Sequence, residues 1–431
     1  MEPVLLIVIF IIFFFIIFSY SKSNLDFVAI SLLGCFIAAT ITFVVVGTPF
    51  NDFISSIEWE AIIIILSMSI ITKIAQDSNI LEFVAVKLFK LSKGEQRIFF
   101  WLLCIITTLL AAIISDVVVV LILAPIVVRL CHFLKIRAGT YLLGMTICIN
   151  IGSIITPFSS GENIIISTAF ALDTLYFIQY YWIFSFLLLF ATIFLIDRYI
   201  LRKEPKIEDM QKKYVIDLID TDIMVKNKKM FYFNSIAIII TIILFATLPL
   251  LYLTAVISTL ILVLINKNYT RKSMSDLLRD IEWEIIFFFI SLYVVIKCML
   301  EAGFQDLFSA IPFGSFDPFL VSFLLLVIIS VISGLVANTP TALIFIPIVQ
   351  TLIEQSVGPV PLFFAFIIGI NLGGNFIPQG AACDMMTLKI ARDSGVENMS
   401  YKRLLKMGGT FAFVHLGIAI LYLLILVPIF A

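Results

Sequence analysis

The stretch FFWLLCIITTLLAAIISDVVVVLILAPIVV, residues 99–128, decides the fold. Its only charge is Asp116. A hydrocarbon layer about 30 Å thick takes about 20 helical residues at about 1.5 Å each, so these 30 residues exceed one crossing. They also break near the middle, at IISDVV (113–118). From Val117 to Leu130 there are 14 residues, about 21 Å of helix, too short to span. The stretch therefore reads as a helical hairpin that enters the membrane and returns with its tip at depth. Non-helical backbone there is tolerated only against protein or a wet cavity. A second uncharged stretch, 318–353, breaks at LVANTPT (335–341) and reads the same way.

Composition agrees with the bilayer as solvent. Of 431 residues, 62% are hydrophobic and 13% charged, against about 25% charged in a soluble domain. Net charge is −1, without a basic stripe carrying interleaved aromatics, which argues against nucleic acid as a partner. Six cysteines lie in apolar segments without CxxC spacing and read as buried thiols. His132 and His415 lie far apart and no HExxH occurs, so neither a zinc site nor any cofactor has support. A lone His415 reads as a packed, hydrogen-bonded residue.

Hydropathy places further spans at about 3–20, 25–47, 57–76, 178–198, 231–249, 251–266, 281–300 and 407–430, with interrupted ones at about 140–176 and 361–388. Val4–Tyr20 lacks a basic n-region and a small-residue cleavage pattern, so it reads as a retained span and not a signal peptide. From Arg202 to Lys229, 14 of 28 residues are charged with mixed sign, the pattern of a solvated linker. The expected organisation is an extra helix at 1–24, a first repeat at 25–199, a linker at 200–230 and a second repeat at 231–431.

Three ordered matches define the repeat. IEWEAIIII from Ile57 answers IEWEIIFFF from Ile281, an offset of 224; LILAPIV (121–127) answers LIFIPIV (343–349) at 222; NIGSIITP (150–157) answers NLGGNFIP (371–378) at 221. Chance likeness among apolar runs would not preserve both order and spacing. Eight Lys or Arg residues lie between Lys73 and Arg137, whereas Lys297 is the only one from 297 to 388. By the positive-inside rule the first copy's loops are cytoplasmic and the second copy's face outward. The sequence thus predicts an all-α polytopic membrane protein of two inverted repeats, each with a re-entrant hairpin and a broken transmembrane helix. That arrangement places a substrate site at the midplane. The expected location is the cytoplasmic (plasma) membrane, with the linker cytoplasmic.

The site residues follow from where regular backbone fails. The two tips and the interruptions at 150–163 and 371–384 leave peptide groups without helical partners. Candidate ligand groups are Ser115 and Asp116 on the first tip, and Asn338, Thr339 and Thr341 on the second. The first interruption adds Asn150, Gly152, Ser153, Thr156, Gly161, Glu162 and Asn163; the second adds Asn371, Gly373, Gly374, Asn375, Gly380 and Asp384. Half-helix N-termini after Asp116, Gly161, Thr339 and Gly380 suit an anion. Freed carbonyls with Asn, Ser and Thr side chains suit Na⁺, which makes the surroundings of Asp116, Asn150, Asn338 and Asn371 candidate sodium sites. Charge at depth is costly unless paired or wet, so Asp116, Glu162 and Asp384 are each either a proton or cation carrier or a cap on a half-helix. The glycines permit unwinding and close helix contact. Lys73 and Lys297 lie near span ends and can snorkel. Glu58 with Glu60, and Glu282 with Glu284, flank a Trp and read as interfacial anchors.

The WE-led spans, the hairpin exits in LAPIV and IPIV, the NIG and NLGGN breaks and the final GAACDMMTL (380–388) resemble the ion transporter superfamily, which includes arsenite efflux permeases and divalent anion/sodium symporters. Ser115–Asp116 resembles the Asn-Asp tip of the arsenite permeases, Asn338–Thr341 their Asn-Met-Pro-Thr tip, and FFISLYVVIKCMLEAGF (288–304) is similar to them too. The carboxylate symporters carry Ser-Asn-Thr tips, where this chain has Asp116 and Val117. That departure weighs against a dicarboxylate and leaves proton coupling open. The resemblance implies an elevator-like secondary transporter of a small anion, arsenite-like oxyanions included, coupled to H⁺ or Na⁺, and a possible homodimer. A Na⁺/H⁺ antiporter of the same superfamily is the alternative; a passive channel stands behind both. Three isolated carboxylates without a catalytic motif argue against an intramembrane enzyme.

Overall fold

The computed structural model describes residues 2–20, 25–205, 225, 227–248, 250–270, 273–281, 283–355 and 358–430. The expected linker at 200–230 lies outside the described residues from 206 to 224 and at 226. Among the described residues all regular structure is helical, and ten helices are long and apolar enough to cross a bilayer.

Both copies run through the same elements. After Phe27–Val46 the first copy continues with Trp59–Asp77, a short helix Ile80–Leu91, hairpin arms Gln96–Ala111 and Asp116–Phe133, a broken helix Gly139–Gly152 with Gly161–Ala169, and Thr174–Tyr199. The second copy has Leu251–Thr270, Trp283–Glu301, arms Pro318–Val336 and Asn338–Glu354, a broken helix Pro359–Gly373 with Ala382–Asp393, and Tyr401–Phe430. Acidic side chains start several of these rods: Asp26, Asp173 and Asp317 accept from the amides of Ala29, Tyr176 and Leu320 at 3.0, 2.8 and 3.0 Å, satisfying donors a helix start leaves free.

Some boundaries run past the apolar count. The first exit arm, expected to be 14 residues and too short to span, instead runs 18 residues to Phe133, takes in Arg129 and His132 and is long enough to cross a bilayer; the last helix starts at Tyr401 with Lys402 and Arg403 in its first turn. Hydropathy stops at the first charges; backbone hydrogen bonding continues wherever those charges reach water. Pro125 and Pro347 sit at matching points inside the two exit arms, where each lacks the amide that would bond to the preceding turn.

Contacts between the copies are reciprocal. Phe27–Val46 packs on Trp283–Glu301 of the other copy, and Leu251–Thr270 on Trp59–Asp77. The second half of each broken helix packs on the exit arm of the opposite hairpin: Ala382–Asp393 on Asp116–Phe133, and Gly161–Ala169 on Asn338–Glu354. Pro3–Tyr20 packs on Phe27–Val46 and touches Trp283–Glu301, as Lys228–Thr247 packs on Leu251–Thr270 and touches Trp59–Asp77.

Within each copy, the first hairpin arm lies against the first half of the broken helix. A Cβ on Gly152 would stand 2.5 Å from the carbonyl oxygen of Thr108, and one on Gly373 the same distance from that of Ser330. These two glycines therefore let two helix backbones touch. At one end of this packing the buried Asp197 carboxylate accepts from Arg97 Nε at 2.5 Å and from Trp101 Nε1 at 3.0 Å. The pair ties Thr174–Tyr199 to the first hairpin arm.

Candidate transport site

Between the copies lies a cavity of about 940 Å³. One wall is a face of Trp59–Asp77, on which Ile65, Met68, Ser69, Thr72, Lys73 and Gln76 recur at the three- and four-residue spacing of one helix side. The opposite wall is Ala382–Asp393, lining from its first residue to its last. The deep end is built from both tips and both breaks. Ser115, Asp116, Asn338 and Thr339 reach it from the hairpins, and Gly161, Glu162 and Gly380 from the broken helices.

Glu162 holds the second tip. Its carboxylate accepts from Asn338 Nδ2 at 3.1 Å and from Thr339 Oγ1 at 3.5 Å, joining the first copy's broken helix to the second copy's hairpin. Asn338 is positioned in turn by the Ser333 hydroxyl, which donates to its Oδ1 at 2.7 Å. The turn itself is unusual: Ala337 sits at φ 92°, ψ 158°, a region where a side chain costs about 1–3 kcal/mol. Asp116, in contrast, folds onto its own tip, accepting from the Val117 amide at 2.8 Å and the Ser115 hydroxyl at 3.4 Å.

The remaining candidates lie behind the cavity wall in packed interior. Asn163 Nδ2 donates to the carbonyl of Ser153 and, at 3.2 Å, to that of Thr156; its Oδ1 accepts from Asn371 Nδ2 at 2.9 Å. Asn150 Nδ2 donates to Asn375 Oδ1 at 2.7 Å. Asp384 accepts from Thr146 Oγ1 at 2.5 Å, Thr156 donates to the carbonyl of Ala112 at 2.5 Å, and Thr341 donates to that of Ala337 at 2.8 Å. Of the buried glycines, Gly374 abuts Asn338, where a Cβ would stand 2.9 Å from Oδ1. The breaks thus bond to one another across the copies, with Asn371 Oδ1 and Asn375 Nδ2 left buried and without a partner among the described residues, and seven of the eighteen candidates face open space. The lining residues that escaped sequence reading include Gln379, Met385, Lys389 and Arg392. Helical spacing counted on from the Gly380 break puts the last three on one face.

Two expectations about single residues resolve simply. Lys73 lines the cavity and pairs with Asp280 at 3.2 Å, whereas Lys297 pairs with Glu301 at 2.6 Å within one helix. His415 is buried, with Nε2 2.8 Å from Thr192 Oγ1, away from the cavity.

Residues 8–369 match the family profile described as Citrate transporter. The chain belongs to this citrate transporter family. It is 23% identical over 403 residues to a 46 kDa membrane protein of Mycobacterium leprae, covering 91% of this chain and 92% of that one. An uncharacterized transporter of Mycobacterium bovis is 22% identical over 400 residues, covering 90% and 91%. The YdaH transporter of Alcanivorax borkumensis superposes with a TM-score of 0.62 at 10% identity over 92% of this chain and 97% of that one, a likeness of fold alone. This member of the citrate transporter family is a polytopic membrane transporter, and the inverted-repeat reading of its fold agrees with that neighbour. The finer likeness to arsenite permeases finds no counterpart in these relatives.

Proposed function

We propose that this protein is a secondary active transporter that moves a small carboxylate anion, with citrate as the leading cargo, by alternating access coupled to an ion gradient. The observation that carries the reading is the cavity, which ends at both hairpin tips and presents two acidic groups there, Asp116 and Glu162. The family description points the same way for the cargo, against the arsenite-like oxyanion. Of the two coupling ions, H⁺ is favoured. Carbonyls of the first break that would suit Na⁺ already accept from Asn163, while the two carboxylates at the cavity end remain in reach of a proton. The basic loops of the first copy put the Lys73 and Arg392 end of the cavity on the cytoplasmic side, so this conformation is open inward. In the same reading Pro3–Tyr20 is the opening element of the first copy, because it packs as Lys228–Thr247 does in the second.

Purified protein in proteoliposomes tests this. Labelled citrate is expected to accumulate under an imposed pH gradient, to respond weakly to a Na⁺ gradient, and to lose the pH response in Glu162→Gln. Absence of citrate flux under either gradient, or flux that ignores both, would overturn the proposal.

A further inference from the structure

We propose that Lys389 and Arg392 make the mouth of the cavity an electrostatic funnel for anions, and that the fold provides this funnel on one side of the membrane only. The inference rests on the transport reading above. On Ala382–Asp393 the cavity-facing residues include Met385, Lys389 and Arg392, spaced as one helix side requires. Both basic side chains are exposed, and among the described residues neither has an ion-pair partner. The other charges on the mouth are Asp393 beside Arg392, and Lys73, which is paired with Asp280 at 3.2 Å. Cations therefore outnumber acids there by one. Lys389 and Arg392 stand about 10 and about 15 Å along the helix from its start at the tips. An anion entering meets them before it meets Asp116 and Glu162. Low-dielectric walls concentrate such a field and raise the capture rate of the opposite charge.

The repeat supplies the asymmetry. The offset of 221 that relates the two breaks assigns Met385 to Ile164, Lys389 to Thr168 and Arg392 to Ala171. The mate of the charged wall is thus a hydroxyl and a methyl. When the inverted copy opens the other side, its mouth offers an anion no such attraction. Net direction still follows the gradients, but the anion is captured more readily from the Lys389 side.

Thiol labelling in sided membrane vesicles tests this with the full chain and without a cargo. The six native cysteines are buried, so unmodified protein supplies the background. At Met385→Cys, an anionic methanethiosulfonate (sulfonatoethyl) should outpace a cationic one (trimethylammonium-ethyl), each normalised to its rate with free thiol. That preference should fall about tenfold in the K389Q/R392Q background and in about 1 M salt. A neutral hydroxyethyl reagent should react at Met385→Cys at the same rate in both backgrounds, which shows that the double variant is folded. Thr168→Cys should show no preference for the anionic reagent. A missing preference at Met385→Cys, one that survives the double substitution, or an equal one at Thr168→Cys would overturn the proposal. Failure of citrate flux, in contrast, would count against the cargo and leave this result standing.

Discussion

The Glu162 carboxylate accepts a hydrogen bond from Asn338 Nδ2 at 3.1 Å across 176 residues of chain. This contact joins a half-helix of one copy to the hairpin tip of its inverted partner, at the floor of the cavity. Any motion that opens the site to the other side must either carry the contact along or break it.

Glu162→Gln keeps an acceptor for Asn338 and removes the charge, so the fold should persist while coupling fails. Glu162→Ala also leaves the Asn338 amide without its partner, which costs about 1–3 kcal/mol. The expected order of melting temperature in detergent is wild type close to Glu162→Gln, then Glu162→Ala. Equal melting of all three would show that the contact does not hold the tip.

Ala337 carries a backbone conformation suited to glycine. Ala337→Gly should relieve about 1 kcal/mol of strain and raise thermal stability, whereas Ala337→Val should lower it further than the alanine does. Thermal denaturation followed by size-exclusion chromatography reads the sign. A lower melting temperature for the glycine variant would mean that entropy lost from the chain outweighs the strain.

Glycines at the breaks should divide by the space around them. A Cβ on Gly152 or Gly380 would stand 2.5 or 2.8 Å from a backbone carbonyl oxygen, that of Thr108 or Gly374, whereas on Gly161 the nearest atom is a Phe289 ring carbon at 3.4 Å. Gly152→Ala and Gly380→Ala should therefore cost about 1–3 kcal/mol and much of the expression level. Gly161→Ala should be close to neutral in stability and can be read for transport directly.

Arg97 and Trp101 both donate to one oxygen of the buried Asp197. Arg97→Ala leaves the buried carboxylate without its counter-charge; because the arginine is itself more than half exposed, the loss is about 1–3 kcal/mol. Trp101→Phe removes one neutral donor, about 1 kcal/mol. Unfolding midpoints should rank in that order, and a milder effect for Arg97→Ala would show that water reaches Asp197 once the arginine is gone.

Much of this architecture was legible residue by residue. The Asp116 and Asn338 breaks located the hairpin tips; run length by itself did not, because Asp116–Phe133 and Pro318–Val336 are each long and apolar enough to cross a bilayer. The candidate site was less legible. Asn163, Asn371 and Asp384 look as available for a ligand as Glu162 does, each being polar, at depth and beside a break. Asn163 turns onto Ser153 and Thr156, and Asp384 onto Thr146, while Glu162 reaches open space. Nothing local separates these cases.

Hydrophobic length, charge placement and the ordered repeat are properties of neighbouring residues, and they suffice to specify a chain threaded twice through lipid with its helices broken at four places. Which broken ends stay open is settled by partners from the opposite copy, more than 170 residues away. A polar group in lipid bonds with whatever packing brings within about 3 Å, and that proximity exists only once the two copies have closed on each other.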